Sequence, residues 1–423
     1  MLSKLLFPKS TFRQLPFRLF TSALVAGAIT SIYQTPSQAV TFHFNFAEGT
    51  SSKVMNKVEE AGSLWSSILK DDVTVNIDFE FATLDEGYLG GARPDMVQVS
   101  YADAVTQFGL DQISTDDQNA FANLPTYEDE NGDISISRWI NGTQNALGFW
   151  HVDNSIEDLW LTRANAKALG LVAGDNGNTD AVIRLNSDVK WDFNRSNGIK
   201  AKRYDFVGTV VHELGHALGF MSGIDVLDDN VENNIFLADE EYNYITSMDL
   251  FRQSDFTAGK GRVDWTVDSG NEYFSVDGGH ENIAGFANGS AAWGETDNFQ
   301  LSHFKQGTNS VMAPTLQRGV QSSISKVDRR LMDAIGWDLA AGSQVDYQSS
   351  TSAYIEEGEG FDGALSMGGW STTRFSNTLW QEGSFLASKV GSGPDSQDVP
   401  EPSSLIGLGA IALFGIKRLR KQR

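Results

Sequence analysis

The chain of 423 residues contains no cysteine. That excludes disulfides, thiolate metal ligands, a thiol nucleophile and any latency switch built on a cysteine. Histidine is scarce, at six residues, so a metal site must draw on those imidazoles and on Asp or Glu. Basic charge is short as well. The formal net charge is −23, and Lys4, Lys9, Arg13 and Arg18 at the start, with Lys417, Arg418, Arg420, Lys421 and Arg423 at the end, account for nine of the 32 basic residues. Residues 19–416 therefore carry 23 basic against 55 acidic side chains, a balance of −32. Such a body repels nucleic acid and anionic lipid, so neither is expected as a partner. The plainer reading is a solvated surface that keeps a protein soluble outside the cell. A long hydrophobic run is also missing: residues 405–416 supply twelve residues in a row that are mostly apolar, where a spanning helix needs about 20.

The two ends read as addresses. A basic start, the apolar run LFTSALVAGAIT at 19–30 and the small-residue pattern Ser37-Gln38-Ala39 form a secretory signal peptide over residues 1–39, with cleavage after Ala39. At the other end Val399-Pro400-Glu401-Pro402, a short Gly-rich apolar stretch and the terminal Lys/Arg cluster follow one another over 399–423. This order resembles the PEP-CTERM sorting tail of Gram-negative bacteria. The resemblance implies an exported protein held in the inner membrane until a membrane-embedded protease removes the tail, then released to the cell surface or beyond. A retained membrane anchor is the alternative.

Between the ends the patterns alternate. Apolar positions at helical spacing predict a helix over 54–69, and VTVNIDFEF at 73–81 has the period of two of a half-buried strand. A second helix is expected over 155–169, stopped by Gly170, and a strand over 181–186. Asp205 reads as the N-cap of a helix that runs through His212 to Leu218 and stops at Gly219. Ser325 and Asp328 form a capping pair for a closing helix with Val327, Leu331, Met332 and Ile335 on one face. The organisation is thus a leader (1–39), a catalytic-sized body (40–340), a Ser/Gly/Glu-rich linker or small β appendage (341–398) and the tail (399–423). The run EDENGD at 128–133 does not register with EF-hand positions, and Asn131-Gly132 marks a hairpin turn. Structural calcium nonetheless suits so acidic an exported body.

The stretch VVHELGHALGFMS at 210–222 carries the chemistry. On a helix His212 and His216 share a face, so both imidazoles can present to one zinc ion, with Glu213 placed as general base beside it. Apolar neighbours make this a buried helix, where two unliganded histidines would be costly. A third ligand is needed. The contiguous metzincin position is Ser222, a poor zinc ligand. Glu240 or Glu241 would serve if another helix brought them back, but Gly219 argues for a chain that turns, and the acidic run at 225–234 reads as a surface loop. His303, in LSHFKQGTNSVMAP at 301–314, is the third candidate, with His280 its rival; His43 and His151 read as structural histidines.

The residues themselves resemble leishmanolysin-like metzincins: HELGHALGF at 212–220, an insertion, His303-Phe304, then Val311-Met312-Ala313-Pro314. That resemblance implies an α+β, metzincin-like zinc protease domain with a twisted mixed sheet, an active-site helix and a closing C-terminal helix. It implies zinc on His212, His216 and His303, Glu213 as base, Gly219 as the turn and Met312 beneath the metal. Three functions follow from the sequence: an exported zinc endopeptidase acting on protein or peptide, a non-catalytic zinc-binding surface or matrix protein, and a zinc hydrolase of another substrate. The strand over 181–186 is either the edge on which an extended peptide adds or an interior strand.

Overall fold

The computed structural model describes residues 39–144, 149–268, 270–289 and 297–340, with the short strands Ala364–Ser366 and Leu386–Ala387. The leader up to residue 38, the tail and most of 341–398 lie outside the described residues.

The body is a mixture of helices and several sheets. β1 (Thr41–Phe46), α1 (Ser52–Ser66) and β2 (Thr74–Ala82) form a unit in which β1 and β2 pair in parallel and α1 packs against β1, its Val54, Val58, Ala61 and Trp65 buried. β3 (Gly90–Pro94) follows, and β4 (Met96–Ser100) leads into α2 (Tyr101–Leu110) and α3 (Thr115–Ala122). β5 (Thr126–Glu128) and β6 (Ile134–Ile140) are the expected hairpin; the Asp129 carboxylate accepts the backbone N–H groups of Asn131 and Asp133, at 2.8 and 2.9 Å, and Gly132 takes φ +89°.

The expected helix over 155–169 is corrected. β7 (His151–Ile156) and β8 (Asp158–Thr162) occupy its first half, and α4 (Arg163–Ala168) only the second. β8 pairs antiparallel with β4 from Met96 opposite Thr162, a ladder of distant residues that outweighs local helical spacing. Thr162 then caps α4 by accepting the N–H of Asn165, and Gly170 ends it at φ +70° as expected.

β9 (Ala181–Asn186) sits between β2, to which it is parallel, and β3, to which it is antiparallel; the order β1-β2-β9-β3 makes a mixed sheet. β9 is therefore interior, and the docking-edge reading of this strand falls. The outer side of β3 pairs with Leu386–Ala387. β10 (Trp191–Asp192) and β11 (Tyr204–Asp205) precede α5 (Phe206–Ala217), which crosses beside β3 with every residue buried. α6 (Ile224–Glu232) replaces the surface loop expected at 225–234. Its Val226, Leu227 and Val231 are buried, and its Asp225 accepts from the Leu301 N–H and the Ser302 hydroxyl inside the fold, which compensates the burial of that carboxylate. α7 (Lys326–Ala334) closes the body with the expected capping box of Ser325 and Asp328.

Five carboxyl groups gather around the C-terminal ends of α1, α2 and α7 and the first turn of α3. Burial raises Asp71 to about 7 and Asp111 to about 8 and pushes Asp117, Asp333 and Asp338 upward, with repulsion from neighbouring carboxylates adding at each of them except Asp338. A pKa raised on folding gives stability that is complete below the unfolded value, near 4, and is lost as pH climbs through the folded value. Melting should therefore fall between pH 5 and pH 8.5 by about 3 °C or more, since one group shifted one unit is worth about 1.4 kcal/mol. Asp111→Asn should flatten that slope in thermal melts across the same range, and a slope equal to the parent's would remove the carboxyl cluster as its cause.

Candidate metal centre

α5 puts His212 and His216 on one face, and a reversal after it finishes the geometry. Gly219 adopts φ +125°, and a Cβ there would stand 2.9 Å from Ile335 Cδ1, so glycine alone suits the position. The turn brings the Phe220 carbonyl back onto the helix, where it accepts from His216 Nδ1 at 2.7 Å. His212 Nδ1 likewise donates to the Val311 carbonyl at 2.6 Å. Two indole N–H groups brace the helix, Trp65 on the Val211 carbonyl at 2.9 Å and Trp337 on the Leu218 carbonyl at 2.8 Å.

His303 arrives on a loop held from α6. Asp225 accepts the Leu301 N–H at 2.8 Å and the Ser302 hydroxyl, while the Ser302 oxygen accepts the Ser222 N–H at 2.9 Å. Phe304 packs against Phe220 with ring centroids 5.0 Å apart. The result joins residues from two parts of the chain: the three imidazoles lie with centroids 4.7, 5.3 and 5.0 Å apart, and one ligand atom from each falls within 4.8 Å of the others.

The protonation pattern argues for a cation. A carbonyl oxygen only accepts, so Nδ1 carries the proton on both His212 and His216, and their Nε2 lone pairs meet at 3.1 Å. Such a contact repels unless a positive charge stands between. Burial pushes His212 down to about 4, and burial with the neighbouring His212 and His303 pushes His216 well below its usual range, so neutral rings are favoured and a proton is a poor occupant. A metal ion fits this donor set, and neutral imidazoles whose second nitrogen is held by a carbonyl are the usual metal ligands.

Glu213 completes the picture. It is fully buried, neither carboxylate oxygen has a hydrogen-bond partner among the described residues, and burial pushes its carboxyl well above the ordinary range. A buried carboxylate left unpaired costs on the order of several kcal/mol. Gly90, the first residue of β3, leaves room beside it; a Cβ there would approach Glu213 Oε1 to 3.1 Å.

Met312 is buried beneath the helix, and a Cβ at Gly215 would come within 2.4 Å of its sulfur. The turn that carries it is fastened by Asp328, which accepts the Ser310 hydroxyl and the N–H groups of Val311 and Met312, the last two at 3.0 and 3.4 Å.

The rival ligands stand elsewhere. Ser222 donates to Asp249 at 2.6 Å, Glu241 turns back to the Ala238 N–H at 3.0 Å, and Glu240 is exposed. His280 is exposed in a loop, His43 is exposed on β1, and His151 pairs with Asp239 at 2.8 Å. Among the described residues no group of three carboxylates converges as the three histidines do. Asp225, Ser302 and Asp328 hold the ligands in place, yet the sequence marked Asp225 only as part of an acidic loop and Asp328 only as a capping residue.

Gly219→Ala tests the reversal. A side chain at this φ is expected to cost about 1–3 kcal/mol, read as a lower melting temperature, and to weaken metal binding because the Phe220 carbonyl no longer orients His216. Unchanged melting and unchanged metal affinity would show that the turn tolerates a Cβ.

A family model described as SPBPB7E8-like matches residues 172–259, a span that includes His212, Glu213 and His216 and ends before His303. No curated protein and no solved structure matches the chain.

Proposed function

We propose that the chain is an exported zinc endopeptidase of the leishmanolysin-like metzincin type, with zinc held by His212, His216 and His303 and Glu213 as general base. The observation that carries this reading is the fully buried, unpartnered Glu213 carboxylate beside three converging imidazoles. No packing role explains it, since a buried charge without a partner destabilises the fold. A zinc ion bound there supplies Lewis acidity, lowering the pKa of water and polarising a carbonyl.

The remaining chemistry belongs to the chain. Glu213 takes a proton from the attacking water and hands it to the departing amine nitrogen, the two halves of one base-then-acid exchange. The Val311 and Phe220 carbonyls hold His212 and His216 in the one tautomer that leaves Nε2 facing inward. The burial of His212, Glu213, His216 and His303 lowers the local dielectric and strengthens charge interactions at the site. The leader and the PEP-CTERM-like tail support export with a transient stay in the inner membrane, a tail-processing protease as partner, and protein or peptide outside the cytoplasm as substrate.

Elemental analysis of the purified chain, with a casein or peptide cleavage assay, tests the reading. About one zinc per chain is expected, with cleavage abolished by a chelator and restored by zinc. Zinc without cleavage would instead favour a binding protein that keeps the site, and no bound metal at all would remove the proposal.

A further inference from the structure

One cleft runs against the charge of the whole body. It has a volume of about 410 Å³ and lies between α1 and the segment joining β10 to β11; of the residues lining it, Lys53, Lys57, Lys200 and Arg203 are basic and Asp192 alone is acidic. Lys53 Nζ sits 4.0 Å from the centre of the Phe193 ring, and the Asp192 carboxylate is occupied by the N–H groups of Asn194 and Lys200, each at 3.1 Å. Lys57 already pairs with Glu60 at 2.5 Å; in residues 19–416, with a balance of −32, the other three cations around one cleft still point to an anionic occupant.

The course of the chain names a candidate. The strand Thr315–Gln317 pairs antiparallel with Ala364–Ser366, Gln317 opposite Ala364. Just past Gln317, the Arg318 guanidinium lies 5.2 Å over the Tyr204 ring and the Gly319 N–H donates to the carbonyl of Arg203 at 2.9 Å, so this end of the strand adjoins the cleft. In an antiparallel pair the chain leading into Ala364 comes from the same direction in which the chain leaves Gln317. The residues leading into Ala364 are Glu356-Glu357-Gly358-Glu359-Gly360-Phe361-Asp362-Gly363, four acids within seven positions. They lie outside the described residues, and eight residues of extended chain reach about 26 Å.

We propose that the Lys53, Lys57, Lys200 and Arg203 cleft is the docking site of the chain's own acidic run, residues 356–362. Docking there fastens residues 341–398 to the wall that begins three residues after Met312, by a charge contact that salt can loosen. The inference rests on the fold and on charge, and stands whether or not the metal site is a protease.

Hydrogen exchange of the full-length chain tests it, read at Thr315–Gln317 and at residues 356–366. Lys53→Glu with Lys200→Glu, or Glu356→Lys with Glu357→Lys and Glu359→Lys, should each raise exchange there about tenfold, as a handful of charge pairs would. Combining both sets should restore the parental rate, and raising salt from about 0.05 to about 0.5 M should speed the parent alone. The milder pair Lys53→Gln and Lys200→Gln should move exchange in the same direction by a smaller factor. Parental exchange in both the Glu and the Gln variants would overturn the proposal, as would failure of the combined set to restore it. So would a sulfated polysaccharide such as heparin binding the parent as tightly as the Glu-to-Lys chain, since the cleft would then be open to an outside partner.

Discussion

Glu213→Gln should leave the zinc content unchanged and lower peptide cleavage by about 10²–10⁴-fold, the range of a positioned general base. Glutamine fills the same closed space, so the fold loses no volume. It even removes the cost of a carboxyl whose oxygens have no partner, and the variant should melt at or above the parental temperature. That combination separates catalysis from structure: a residue kept for packing would lose stability, and a residue kept for chemistry gains it while activity collapses. The measurements are zinc by elemental analysis, kcat/KM on a peptide and a thermal melt. Activity within a few-fold of the parent would reject Glu213 as the base.

The second large effect is expected from His303→Ala. Two histidines from one helix cannot hold zinc tightly on their own, because a protein site needs three ligands. Affinity should drop by more than about 100-fold, given that outer-shell partners alone are worth 10–100-fold. His280→Ala is the control: it is exposed in a loop and should bind zinc like the parent. If His303→Ala retained zinc, the group of three imidazoles would be a coincidence of packing. If His280→Ala lost zinc, the loop that carries it would have to reach the site in solution.

The three candidate ligands were legible because metal chemistry constrains residue type and order more tightly than it constrains distance along the chain. Residues 212 and 303 are 91 positions apart, yet the Phe304 and Met312 that follow His303 identify it, and the structure brings it against His212 and His216. The helix, its stop at Gly219 and the capping pair of Ser325 and Asp328 were legible for a different reason, since each is a local rule with a local cause. What escaped depends on partners remote in sequence. β8 reads as helix until β4 is set beside it. α6 reads as a wet loop until its Asp225 is seen to accept from Leu301 and Ser302. The interior place of β9 follows from β3, a strand that the apolar pattern of GGARP does not announce.

The carboxylate of Asp328 ties two events together. The same group that receives the Ser325 N–H at 2.7 Å and so starts α7 also receives the Val311 N–H, and the Val311 carbonyl holds His212. Fraying the first turn of α7 is therefore expected to loosen His212, a candidate metal ligand some hundred residues earlier in the chain. The helix start, the methionine turn and the imidazole form one cooperative unit whose amides should lose exchange protection together. For an ion held by His212, the residence time is expected to follow how often that turn opens, which hydrogen exchange of the same amides would read.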